Sequence, residues 1–295
     1  MPDAAAMETQ VTKVKKQRQS VVIFRRLAKD PTALVGGILF VLLALMAIFA
    51  PVIIRHPITE VNVDVQLQGP SAEYWFGTDQ LGRDIFSRIV YGARYSLSIG
   101  VLGVAVGAGI GMVFGAIAGY FGKLTDNIVM RLTDVLQAIP GILLAMTVSV
   151  VLGPGYVNTM LALAVGNIPM SIRLMRAGIL GIRHQEYLEA AVSINARTPR
   201  IIFRHLIPNS FSPLLVSATM SIGNTIMMCA MLSFIGLGLQ PPLPEWGGII
   251  SEGLAYIRYR PWMTIFPGIF IMLSVLSLNM VGDGLRDVLD PKLKK

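Results

Sequence analysis

Cysteine occurs once in the 295 residues, at Cys229, so no intrachain disulfide can form and no cysteine-rich metal cluster is available. Histidine is nearly as scarce: His56, His184 and His205 are scattered, which excludes a histidine metal site and leaves no nucleophile and base pair for a hydrolase. A phosphate-binding loop is missing too, because Gly122-Lys123 is followed by Leu124 and Ile117 stands where the first glycine belongs. The chain is therefore not expected to be an enzyme or to bind a cofactor or metal itself. Charge is sparse as well, at 14% of residues, and none lies near the middle of a long apolar run, where proton- and ion-coupled carriers commonly place such groups.

Apolar residues are abundant instead: 54% are hydrophobic and the mean hydropathy is +0.63, more than one soluble core would use. They fall in long unbroken runs suited to a hydrocarbon core about 30 Å thick. Residues 31–54, 95–122 and 261–282 contain no charge and are expected to be membrane spans one, two and six. The uncharged stretch 135–172 is divided by Gly153-Pro154-Gly155 into spans three and four. Span five lies between Pro208 and Pro213 on one side and Pro241, Pro242 and Pro244 on the other. Cys229, inside that run, reads as a small residue facing lipid or a helix. The first 29 residues carry seven Lys or Arg, and the apolar run behind them, too long for a secretory signal, reads as a retained signal anchor.

Six spans put both termini on one side of the membrane. With the termini inside, the cytoplasmic segments hold 19 Lys or Arg and 10 Asp or Glu, whereas the outside segments hold 6 and 7. Basic residues resist translocation, so the expected organisation is a cytoplasmic N-terminal segment 1–30, a first span 31–54, and an extracytoplasmic segment 55–94 with an interfacial helix. A core 95–283 and a cytoplasmic tail 284–295 follow. The net charge of +8 then reflects topology rather than nucleic-acid binding.

Within the spans, Gly103, Gly107, Gly111, Gly115 and Gly119 repeat every four residues and leave a groove for close helix packing. The ladder drifts about 40° per step, which suggests more than one neighbour. Pro140, Pro169 and Pro267 are expected to bend spans three, four and six. Arg131 with Asp134, and Asp84 with Arg88, have the spacing of helix-surface ion pairs. Trp246, Tyr256, Tyr259 and Trp262 read as anchors at the membrane interface.

The loop 181–209 is expected to form a helix, a turn and a second short helix, capped by Thr198 with Pro199 behind it and ended by Pro208. Tyr187, Leu188, Ala191 and Ile194 share one face of the first helix and offer it to a partner protein.

This loop resembles the signature of ABC importer inner-membrane permeases, which reads Glu-Ala-Ala, three residues, Gly, then a stretch closing on an aliphatic residue and Pro. Glu189-Ala190-Ala191 and Ile207-Pro208 match it, and Asn195 takes the glycine position, asparagine being the next most tolerant residue of a left-handed turn. Phe76 to Asp84, Leu232 to Gly238, Pro242 to Gly247 and Gly282 to Pro291 are similar to segments of the dipeptide, oligopeptide and nickel group, in its C-type subunit. The resemblance implies an all-α integral membrane protein of the type I ABC importer permease fold, with six transmembrane helices and a cytoplasmic coupling-helix loop. It implies a coupling loop of Tyr187, Glu189, Ala190, Ala191, Asn195 and Arg197, with the alanines permitting close approach to an ATPase. Implied partners are a second related permease, two cytoplasmic ATPases that use the ATP, an extracytoplasmic substrate-binding protein, and membrane lipid. The implied location is the multi-pass inner membrane of a bacterial or archaeal cell. Two other readings stay open on the sequence: a proton-coupled secondary transporter acting alone, and a membrane scaffold whose loop docks a partner without transport.

Overall fold

The computed structural model describes residues 27–289. The lysine-rich segment before residue 27 and the last six residues of the tail lie outside the described residues. Among the described residues the secondary structure is helical, and no strand is present.

Asp30 starts α1 (Pro31–Ile48) by accepting from the Thr32 and Ala33 amides at 2.9 and 3.2 Å, with Pro31 in the first turn where its missing N–H costs nothing. The short α2 (Ala50–Ile53) follows. Asp84 caps α3 (Ile85–Phe121), whose 37 residues make a rod about 55 Å long. The interfacial helix expected at the end of the extracytoplasmic segment is thus the first turns of this rod: no proline lies between residues 84 and 95, and Gly92 is buried within the helix without breaking it. Gly122, at φ +62°, turns the chain into α4 (Lys123–Ala138). Helix α5 (Gly141–Leu152) leaves α4 at 93°. Pro140 enforces that bend: Ile139 before it is extended, as a residue preceding proline prefers.

Helix α6 (Tyr156–Ile182) runs through Pro169 without ending, and so does α10 (Trp262–Leu289) through Pro267. Between them come α7 (Glu186–Ser193), α8 (Thr198–Phe234) and α9 (Trp246–Leu254). Pro208 does not end a short helix. The chain widens to π-type turns over Ile201–Leu206, with the Ile207 amide reaching the Ile202 carbonyl, and so passes the proline without an interrupted rod. The cap of α8 is Arg197, with Thr198 and Pro199 already inside the first turn.

Four helices, α1, α3, α8 and α10, are long and apolar enough to cross a membrane, and the bent pair α4–α5 makes a fifth if it is one span. Six crossings were expected. The difference is α6, which is 27 residues long but carries Asn158, Asn167, Arg173 and Arg176. Asn167 donates to Thr225 Oγ1 of α8 at 3.2 Å and Arg176 pairs with Asp126 of α4, so two of these polar groups are satisfied inside the protein.

The glycine ladder of α3 serves one principal neighbour rather than several. Cβ atoms placed on Gly107, Gly111, Gly115 and Gly119 would run into Ala164, Ser171, Ile172 and Ile179 in turn, all on α6. Residue numbers rise together on both helices, so the two run parallel. A repeat longer than 3.6 residues stays in contact when the partner winds around it in the right-handed sense, and that winding absorbs the drift. A Cβ on Gly115 would lie 2.5 Å from the Ile172 carbonyl oxygen, which belongs to a helix backbone and cannot give way. Gly115→Leu is therefore expected to lower the yield of detergent-stable protein several-fold, and Gly109→Leu, where nothing lies within 4 Å, to leave it unchanged. Size-exclusion chromatography of the two variants checks this.

Several local pairings differ from the sequence reading. Asp134 pairs with Arg173 of α6 at 2.6 Å rather than with Arg131. Asp84 spends its carboxylate on the Ser87 amide and hydroxyl, which leaves Arg88 to other partners. Trp246 is no interface anchor: it is fully buried, and its indole N–H donates to the Ile89 carbonyl at 2.9 Å. Cys229 faces helices, fully buried beside Ile99, Ala145 and Leu163.

Candidate functional site

The loop between α6 and α8 carries the candidate site. Helix α7 is eight residues long, too short to persist alone, and it is held by packing. Leu188, 4% exposed, belongs to a cluster with Met175, Ile179, Ile201, Ile202 and Leu206 from α6 and α8, and Ala191, 7% exposed, is buried as well. Glu186 and Glu189 stand in its first turn, where the helix dipole favours negative charge. At the other end the Asn195 amide donates to the Val192 carbonyl at 2.9 Å and the Ala196 amide to the Ala191 carbonyl at 3.1 Å. Asn195 has φ +56°, so this is a Schellman closure with asparagine in the left-handed position.

The apolar face expected for docking is divided in two. Leu188 and Ala191 point into their own subunit, whereas Tyr187, Ala190 and Ile194 form the outward line, with Ile194 80% exposed. Glu189, Asn195 and Arg197 are exposed as well. Tyr187, Ala190, Ala191, Asn195 and Arg197 border a common groove with Arg200 and His205, of about 700 Å³, while Glu189 lies on the other flank of α7 beside Arg183 and Tyr120. Ala191 belongs to the face expected to meet a partner, but it is buried, so a charged side chain there would test the subunit's own packing rather than docking. Substituting Asn195→Val puts a β-branched residue into the left-handed region and is expected to cost the loop about 1–2 kcal/mol, whereas Asn195→Gly relieves strain. Limited proteolysis of the loop reads the difference, with Val cut faster than wild type and Gly no faster.

Two features were not evident from the sequence. The first is a groove of about 630 Å³ between α6, α8 and α10, lined by Met170, Leu174, Ser217, Met220, Ser221 and Asn224, with Arg286 at one end. Its α8 wall continues through Met227, Met231 and Phe234, all exposed, so Ser217, Met220, Asn224, Met227, Met231 and Phe234 recur every three or four residues along one stripe. That spacing was the available signal, but residue types alone do not distinguish it from a lipid-facing stripe.

The second lies at the opposite end of α8. Arg88, 2% exposed, reaches Asp79 at 2.5 Å and Glu252 at 2.6 Å, while Arg83 holds the same two carboxylates at 2.7 and 2.8 Å. Asp79 also accepts from the Leu81 and Arg83 amides, at 2.8 and 3.0 Å. Two cations and two anions thus close a buried square that joins the loop before α3 to α9.

Residues 111–295 match the family of binding-protein-dependent transport system inner membrane components, and residues 19–70 match the N-terminal transmembrane domain of oligopeptide transport permease C. The chain is 45% identical over 293 residues to the dipeptide transport system permease protein DppC of Alkalihalophilus pseudofirmus, covering 99% of this chain and 95% of that protein. It is 41% identical over 270 residues to the oligopeptide transport system permease protein OppC of Bacillus subtilis, covering 92% and 88%. The glutathione transport system permease protein GsiD of Pectobacterium atrosepticum is 43% identical over 272 residues, covering 92% and 90%. In fold, the chain superimposes on the MetNI methionine ABC transporter in an inward-facing conformation with a TM-score of 0.57 at 20% identity, over 70% of this chain and 98% of that one. Its helical bundle is thus that of a type I importer permease, and ATP hydrolysis resides in separate subunits. By family, extent of match and fold together, the chain belongs to the binding-protein-dependent inner membrane components and is a permease subunit of an ABC importer of the dipeptide and oligopeptide group.

Proposed function

We propose that this subunit forms one half of a pathway that carries dipeptides, oligopeptides or a related small peptide such as glutathione into the cytoplasm. The outward line Tyr187, Ala190 and Ile194 carries the reading: an apolar face on a helix anchored from behind by Leu188, with Ala191 buried beside it, transmits a push to α6 and α8 rather than yielding to it. In this account α7 sits on a cytoplasmic ATPase, Ala190 permits close contact, and Arg197 and Arg200 border the seat. A related permease faces the stripe Ser217 to Phe234, and peptide passes along neutral Ser, Asn and Met side chains that hydrogen-bond or adapt without trapping a charge.

The membrane arrangement belongs to the same proposal. There are six crossings, with α6 as the one whose polar groups are satisfied by neighbours, and both termini and α7 are cytoplasmic, as the distribution of basic residues favours. An extracytoplasmic binding protein delivers peptide at the end that carries α9. The names of the relatives support the peptide class. Uptake of labelled dipeptide, tripeptide and glutathione by cells lacking the gene, with and without its restoration, tests the substrate. Loss and rescue for at least one of the three is expected, and unchanged uptake of all three overturns the assignment.

A further inference from the structure

Between α1 and α3, at the end of the bundle that carries α9, lies a groove of about 690 Å³, separate from the stripe Ser217 to Phe234. Its floor is apolar, made by Phe40, Ala44 and Ala47 of α1 and by Leu97, Val101 and Leu102 of α3. Its mouth is polar. Tyr91, Arg94 and Tyr95 stand there with Ser98 and with Tyr156 of α6, whose hydroxyl donates to Ser98 Oγ at 2.9 Å while Ser98 donates in turn to the Arg94 carbonyl. The three phenol rings form a row, with centroids 6.0 and 6.1 Å apart, and the Arg94 guanidinium lies 5.3 Å above the ring of Tyr91.

Arg94 differs from Arg55, Arg83 and Arg88. Arg83 and Arg88 are each held by two carboxylates, and Arg55 donates to the carbonyls of Ala72 and Glu73. Among the described residues Arg94 has no carboxylate partner, and its side chain is exposed. It is also the last charged residue before the uncharged stretch 95–122, which sets the guanidinium where hydrocarbon gives way to headgroups.

We propose that this groove is a binding site for one phospholipid, with its phosphodiester on Arg94 and the phenol hydroxyls and one acyl chain lying between α1 and α3. A guanidinium matches phosphate oxygens with two parallel hydrogen bonds, and phenols at headgroup depth supply further donors. A helix from another subunit would cover the apolar floor equally well, but it would leave the cation without a counter-charge unless it brought an acid to that depth in the membrane. The lipid supplies both halves at once. It fastens α1 to the bundle at a depth where α3 is packed on its other side by α6. The inference rests on the membrane-embedded fold and is independent of the docking of α7.

Native mass spectrometry of the assembled importer, after extensive detergent washing and then re-exposure to phosphatidylglycerol, tests the site. Wild type is expected to retain one phospholipid for this groove. Arg94→Gln and Ala44→Trp, which remove the cation and fill the trough, are expected to lower that occupancy about tenfold, and Arg94→Lys to keep most of it. Measuring only complexes that remain assembled keeps folding failure from imitating loss of the site. Equal retention in all four proteins, or no retention in wild type, overturns the inference. So does efficient cross-linking of Ala44→Cys to another subunit in membranes, which would make the groove a protein interface.

Discussion

Replacing Ala190 by arginine is expected to reduce peptide uptake at least about 30-fold while leaving the chain in the membrane at its normal level. Position 190 is on the outward line of α7, exposed, and arginine is a good helix former, so the helix itself has no reason to change. What changes is the seat: a bulky cation would have to be buried against a surface shaped for a methyl group. Leaving a charge unpaired in a docked interface costs about 2–5 kcal/mol, which at tenfold per 1.4 kcal/mol is a factor of roughly 30 or more. Ala190→Ser is expected to transport normally. The same arginine at position 191 acts through a different cause, because Ala191 is buried within the subunit, and its loss of transport would come with loss of protein. Comparing uptake per membrane-inserted chain for the three variants separates docking from folding.

Arg88→Met is expected to destabilise the end of the bundle that carries α9 by about 3–5 kcal/mol, the usual consequence of removing one member of a buried ionic group and leaving the other charges behind. Asp79 and Glu252 would then share Arg83 alone, with Asp79 only 1% exposed. Replacing Arg83, Arg88, Asp79 and Glu252 together by apolar residues is expected to recover part of that loss, since no orphan charge of the square then remains. Thermal unfolding of the purified subunit, followed by the burial of Trp246 beside the cluster, measures both. A wild-type-like melting temperature for Arg88→Met would mean that the square contributes nothing to stability.

Much of the architecture is legible in one dimension because the bilayer imposes it. Uncharged runs mark α1, α3 and α10, since a span must satisfy its backbone internally and exclude charge. Helix α7 is legible for a different reason: Glu189-Ala190-Ala191 and the residue in the left-handed turn are constrained locally, and Asn195 closes the helix without help from distant residues. Features that depend on a third element are not legible. Arg88 was assigned to Asp84, four residues away, but its partner across the fold is Glu252, 164 residues on, and Asp84 was already committed to capping α3. Pro208 has the local chemistry of a stop, yet π-type turns before it keep the helix continuous because both sides are packed. The division of the α7 face has the same origin. Spacing shows that Leu188 and Ala191 share a side with Tyr187, but only the placement of α6 and α8 decides which of them is covered.

The central claim, that this chain is half of a permease driven by separate ATPases through α7, is tested most directly by gentle affinity purification from membranes and mass spectrometry of what accompanies it. A second, related permease and cytoplasmic ATPase subunits are predicted to co-purify with wild type, and the ATPases alone to be lost from Ala190→Arg. Recovery of the chain alone or as a homo-oligomer from fresh membranes, or full retention of the ATPases by that variant, would contradict the account.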